Sequence, residues 1–129
     1  GAEMKIHQEE TCYDMRPSYE LGKVYSENMK SVGMEVHESR PARGMHSTDF
    51  GNISYLMPAI TGSFAISDVP IPGHSQQVVD ASGSDFGREQ MLKVSKAMAL
   101  TVLDMFLNPE LLKRAKDEHA NWEQLAAQA

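Results

Sequence analysis

Apolar residues recur at three- and four-residue steps in some stretches of the chain and in short unbroken runs in others, and these patterns divide it into elements. Leu21, Val24, Tyr25, Met29 and Val32 line one face of a helix running from Pro17 to about Val32. Pro17 is placed to open it, because a missing N–H is no loss at the first helical position. Gly33 supplies the stop. A second helix is predicted from Asp85 to Leu107, capped by Ser82 or Ser84. Its second half, MALTVLDMFL, is apolar almost all round, as expected of a helix that is mostly buried. Asn108 and Pro109 end that helix and start another, in which Leu111, Leu112, Ala115, Trp122 and Leu125 mark a narrow apolar stripe.

The remaining apolar positions read as strands and loops. Residues 4–13 (MKIHQEETCY) alternate roughly without Gly or Pro, which fits an extended segment with one wet face, and 34–37 (MEVH) reads as a short strand. Residues 53–60 (ISYLMPAI) and 62–67 (GSFAIS) are short apolar runs bounded by turn residues, the signature of buried strands. Pro58 cannot donate to a ladder, so the first of these lies at an edge, ends early or bends there. Residues 38–46 (ESRPARGMH) and 68–83 have no period and read as loops, the second holding Pro70, Pro72 and Gly73 around His74. Strand, helix, strand, two core strands, helix, helix is an α/β order, with helices packed on a partial sheet.

Bulk properties narrow the function classes. A chain of 129 residues, 41% hydrophobic and 23% charged, is an ordinary globular composition of one-domain size. A formal charge of -6 and pI near 5.3 argue against a nucleic-acid or anionic-membrane surface, since both need clustered Lys and Arg. Small molecules or proteins are the expected partners. The single cysteine, Cys12, allows no intrachain disulfide, which favours a cytoplasmic setting. No window is long and apolar enough for a membrane span. The chain opens on Gly1 and not on Met, as expected of a tag remnant or of a piece of something longer.

Five histidines, His7, His37, His46, His74 and His119, show no HxH or HxxxH pair with which one element presents two ligands to a metal. His7, His37 and His119 are most simply surface or half-buried residues. His74 sits in a long loop after the core runs, where Pro72 and Gly73 can fix the backbone, yet position alone still favours an ordinary surface histidine. The other dense element is HSTDFGN at 46–52. Its plain reading is a hydrogen-bonded turn built by Ser47, Thr48, Asp49 and Asn52.

Together, HSTDFGNISYLMP, the following pair of runs, PGHS, an SGS turn and the helix MLKVSKAMALTVLDMFL resemble the closing segment of the zinc-dependent aminoacylase and carboxypeptidase family. The likeness is to its amidohydrolase branch, similar to the aminobenzoyl-glutamate utilisation proteins and related dipeptidases. That branch carries S-T-D-x-G-N-V-S followed by a histidine in a P-L-H-T context; here Gly73 stands for the Leu and Ser75 for the Thr. YDMRPSYELGKVYSENMKSVGMEV resembles the passage that re-enters the catalytic domain after an inserted lid, and the likeness extends to about residue 108.

The resemblance implies a catalytic α/β domain holding two divalent metal ions, zinc or manganese, with a smaller lid that also mediates dimerisation. Residues 1–15 would end the lid or form the re-entry strand, and 16–129 would be the C-terminal part of the catalytic domain. The implied reaction is hydrolysis of an N-acyl amino acid or dipeptide-like amide. His74 aligns with the last metal ligand. Beside it, Asp49 either orients the His74 imidazole or caps its own turn, and Ser47, Thr48 and Asn52 either contact substrate or simply fix the loop. The implied partners are a small amide substrate, the missing N-terminal part of the same protein and a second copy.

The family's other ligands and its general base have no counterpart here, and a catalytic zinc needs about three protein ligands. The chain alone is therefore expected to be inactive, to hold metal weakly at best, and to expose apolar surface over 98–107. The alternative is a non-enzymatic binding or assembly module that retains only the family scaffold.

Overall fold

The computed structural model describes residues 2–7, 11–36, 48–122 and 124. Its regular elements are helices: α1 (Tyr19–Ser31), α2 (Phe50–Ser54), α3 (Gln76–Ser82), α4 (Asp85–Leu107) and α5 (Pro109–Ala120). The long helices follow the periodic stretches closely, because each has its own start signal. Ser84 caps α4 by accepting from the Gly87 N–H at 3.0 Å. Asn108 closes α4 and caps α5, its side chain accepting from the Leu111 N–H, with Pro109 as the first helical residue. At α1 the cap is Ser18, so Pro17 lies outside the helix that it was expected to open. It instead forms an isolated parallel bridge with Ala59.

α1 packs along α4, and α5 folds back against both. Met29 of α1 meets Val94 and Ala97 of α4, and Tyr25, Val32, Met34, Val36 and Phe64 close around them. Ala97 is fully buried, so the helices approach closely where its side chain is only a methyl group. Next to this apolar contact the Asn28 amide donates to Thr101 Oγ1 at 3.1 Å and Asp104 Oδ2 at 2.8 Å, which fixes the register of α1 on α4. From α5, Leu111 and Ala115 are buried. Removing a leucine side chain from water contributes about 2 kcal/mol.

The end of α5 is tied to the start of α1. Glu118 accepts from the Ser18 hydroxyl at 2.6 Å and from the backbone N–H groups of Tyr19 and Glu20, so its carboxylate meets the positive end of the α1 dipole. Trp122 stacks on Tyr19 with ring centroids 5.9 Å apart. Leu125, assigned to the same stripe, lies outside the described residues.

The strand expectations need correction. Among the described residues there is no strand longer than the Pro17–Ala59 bridge, so the α/β sheet is not seen here. Residues 4–7, 11–13, 34–36 and 62–67 are non-helical but unpaired in any ladder; His37 is outside the described residues. A strand is stabilised by a neighbour's hydrogen bonds, which this stretch of polypeptide does not supply to itself. The run 53–60 begins as the end of α2 and not as a strand. Short apolar runs do not distinguish the two states by period. The loop predicted over 68–83 contains a further helix, α3.

α4 is also less buried than expected. Gly87, Val94, Ala97 and Thr101 face the core, while Met98, Val102, Leu103, Phe106 and Leu107 are exposed, as anticipated for 98–107. The other helices cover one side of it only. No helix among the described residues is long and apolar enough to cross a membrane.

Candidate functional site

The motif segment is built against the extended residues before α1. Gly51 packs onto the backbone of Tyr13 and Asp14, and a Cβ at that position would run into the Tyr13 carbonyl oxygen. Asn52 then bridges to the same segment in both directions: its Oδ1 accepts from the Tyr13 N–H at 2.8 Å, and its Nδ2 donates to the Thr11 carbonyl at 3.0 Å. The side-chain amide thus stands in for a neighbouring strand. Ser54, fully buried, accepts from the Arg16 N–H at 2.9 Å and donates to the Gly51 carbonyl. Behind it, His119 Nε2 lies 3.0 Å from the Ser54 carbonyl oxygen, which can only accept, so that nitrogen carries the hydrogen.

Thr48 Oγ1 accepts from the Phe50 N–H at 3.3 Å, a local turn bond of the expected kind. Asp49 stands at the N-cap position of α2 with helical backbone angles, and its side chain makes no capping bond. Both are exposed. Ser47, and with it His46, lies outside the described residues. Beside the motif, Tyr13 and Tyr55 rings meet at 4.9 Å and the Arg16 guanidinium sits 3.8 Å over the Tyr55 ring. The Tyr55 hydroxyl donates to Asp14, whose carboxylate raises the phenol's pKa, with a smaller contribution from burial. The phenol therefore stays protonated at neutral pH.

His74 lies in the turn that leads into α3. The Ser75 hydroxyl donates to the Pro72 carbonyl at 2.7 Å and closes the turn, and Ser75 occupies the N-cap position of α3. His74 itself has φ of 53°, the only non-glycine residue with positive φ among the described residues. That left-handed conformation disfavours a residue with a Cβ by roughly 1–2 kcal/mol and clusters at ligand and active sites. The imidazole is exposed. Among the described residues no hydrogen bond joins it to Asp49, Thr48 or Asn52.

These residues do not fit a complete two-metal centre. Among the described residues no group of three or more His, Cys, Asp or Glu side chains is placed to hold a metal ion. Among the described residues the turn into α3 offers the exposed His74 imidazole, and no reaction step through a metal can be derived from it alone.

No family model matches the chain. It is 35% identical over 108 residues to the Xaa-Arg dipeptidase of Homo sapiens, covering 82% of this chain and 24% of that protein. The Xaa-Arg dipeptidase of Mus musculus is 36% identical over the same share of the chain and 25% of its own length. Likeness to these dipeptidases supports a kinship with the aminoacylase and dipeptidase amidohydrolases. The chain is also 32% identical over 73 residues to a p-aminobenzoyl-glutamate hydrolase subunit of Escherichia coli (strain K12), covering 57% of this chain and 15% of that protein. The chain therefore spans about a quarter of the length of the dipeptidases it matches.

The sequence pattern singles out the motif and His74 as candidates but carries little sign of the residues that hold the motif in place. Gly51 was visible only as part of the motif, Ser54 only as part of a supposed strand, and His119, half-buried as one of the two readings had it, carried no sign of its partner Ser54. Glu118 carried no signal, because its partners lie about a hundred residues away in sequence.

Proposed function

We propose that the complete protein is a metal-dependent amidohydrolase that cleaves an N-acyl amino acid or a dipeptide-like amide, and that this chain supplies part of its catalytic domain. The observation that carries the reading is the 35% identity to a dipeptidase along 82% of the chain. The names of the relatives indicate the substrates to try first: dipeptides with a C-terminal arginine, and p-aminobenzoyl-glutamate. In the complete enzyme the catalytic domain is α/β, residues 1–15 lead in from the lid, and residues 16–129 close the domain. The setting is cytoplasmic, and the enzyme is a homo-oligomer.

His74 is the metal ligand of this segment. Its positive φ supports that role, because such backbone conformations cluster at ligand sites. The divalent ions, zinc or manganese, would be held by His74 with ligands from the rest of the protein, and when bound they supply carbonyl polarisation and an acidified water. Thr48, Asp49 and Asn52 belong to the motif segment at α2, and Ser47, outside the described residues, is assigned with them to substrate contact or support. Asn52 holds that segment on residues 11–13, and exposed Thr48 and Asp49 are free to meet substrate or to orient a ligand. The test is hydrolysis of those substrates by the complete protein, before and after dialysis against a chelator. Activity that is lost with the metal and restored by zinc or manganese is the expected result. A complete protein that binds these amides without cleaving them, with any metal added, would instead be the binding module.

A further inference from the structure

α2 is five residues long and carries the second half of the motif, and a helix of that length does not hold its own ends. Its carbonyls take their donors one by one. The Ser54 hydroxyl donates to the Gly51 carbonyl, the Tyr55 N–H to Asn52, and the Leu56 and Met57 N–H groups to Ile53. The Ser54 carbonyl is supplied from another helix: His119 Nε2, on the last turn of α5, lies 3.0 Å away although 65 positions distant in sequence. His119 is half-buried in a narrow crevice that it shares with Arg16, Pro17, Pro58 and Trp122. The residue before it, Glu118, places both carboxylate oxygens on the start of α1. Two consecutive side chains of α5 thus grip α1 and α2 together.

From this arrangement we infer that His119 is a positioning residue of the site. Acting through the Ser54 carbonyl, it fixes where α2 ends, and α2 in turn fixes Thr48 and Asp49, which stand immediately before it. The inference rests on the proposed reading of those two residues as facing substrate or a metal ligand in the complete enzyme. Two observations separate His119 from a residue that merely packs. Its bond ends on the backbone of the motif helix and not on a neighbouring side chain. Ser54, whose carbonyl is held, also accepts from the Arg16 N–H through its hydroxyl and is fully buried, so a shift of Ser54 disturbs the contact with the segment before α1 as well. A displacement of about 1 Å is enough to slow a reaction about 100-fold, whereas one hydrogen bond makes only a modest net contribution to folding. The bond therefore has more leverage on the reaction than on stability.

The test uses the complete protein carrying His119→Gln or His119→Asn. A glutamine amide nitrogen reaches about where Nε2 stands, and an asparagine amide stops short of it. Hydrolysis of the dipeptide and p-aminobenzoyl-glutamate substrates is measured where the urea curve shows every variant fully folded, together with amide exchange at Arg16, whose N–H bonds to Ser54. The expected result is that His119→Asn lowers kcat/KM by a factor on the order of 10 and speeds exchange at Arg16, and that His119→Gln keeps both at the parent values. Parental kcat/KM in His119→Asn overturns the inference, because the bond then has no bearing on the reaction. Equal losses in both variants overturn it too, because ring packing and not the bond is then what counts. If the unsubstituted protein hydrolyses neither substrate, the activity alone is refuted and exchange at Arg16 decides the positioning role. Faster exchange in His119→Asn only upholds it, and the same exchange in both variants overturns it.

Discussion

Two regions of this molecule are held by different means. α1, α4 and α5 are placed by apolar contact among Met29, Val94, Ala97, Leu111 and Ala115, with Asn28 and Glu118 setting register. The segment from Thr48 to Ser75 contributes Phe64 and buried Ala59 to that packing, while its motif half does without it. It is positioned by polar groups acting on backbone: Asn52 on residues 11–13, Ser54 on Arg16, His119 on Ser54 and Ser75 on Pro72. The helical region makes the scaffold, and the polar region presents exposed side chains at fixed places. Substitutions in the first are therefore expected to act on stability. In the second, stability and function should separate, depending on whether a residue holds the loop or is displayed by it.

The largest stability effect is expected at Leu111, which is 1% exposed. Leu111→Ala should lower the unfolding free energy by about 2–5 kcal/mol, read from the urea midpoint. In the polar region the corresponding position is Gly51, where a methyl group would meet the Tyr13 carbonyl. Gly51→Ala should lower stability by about 1–3 kcal/mol and increase amide exchange at Tyr13 and Arg16, whose N–H groups bond to the motif. If it changes neither, the motif segment is not docked on residues 11–16 as described.

A smaller effect tests the surface of the helical region. Arg114, hydrogen bonded to Glu20, and then Lys23 hold the Glu20 carboxyl below its ordinary pKa of 4.5. Because the folded state binds that proton less readily than the unfolded state, this contribution is present above the ordinary carboxylate range and is lost as pH falls through it. For a pair this exposed the contribution is about 0.2–1 kcal/mol. Glu20→Gln should remove that part of the acid dependence of unfolding and leave hydrolysis unchanged.

The same contrast explains what could be read from the sequence. α4 was legible almost to the residue and α5 at its start, because Ser84, Asn108 and Pro109 mark those ends locally and the apolar residues keep a helical period. α2 and α3 were not, since helices of five and seven residues are too short to show a period. The strands predicted at 4–13, 34–37, 53–60 and 62–67 rested on patterns that describe what a segment would bury, and burial needs a neighbour that the described residues do not provide. His74 was legible through its place after the motif, while its strained backbone was not, because nothing in PGHS alone dictates a positive φ at the histidine and not at the glycine. The hydrogen bonds of Glu118 and His119 connect residues far apart in sequence and leave no local trace.

The proposed role of His74 is that of a metal ligand displayed by the scaffold, with no part in supporting it. It is tested most directly by His74→Ala in the complete protein, with bound metal, kcat/KM and the urea midpoint measured on one preparation. Metal content should fall and amide hydrolysis drop by a factor on the order of 100 or more, while the midpoint stays essentially unchanged because the imidazole is exposed. Full metal content and full activity in the variant would contradict it.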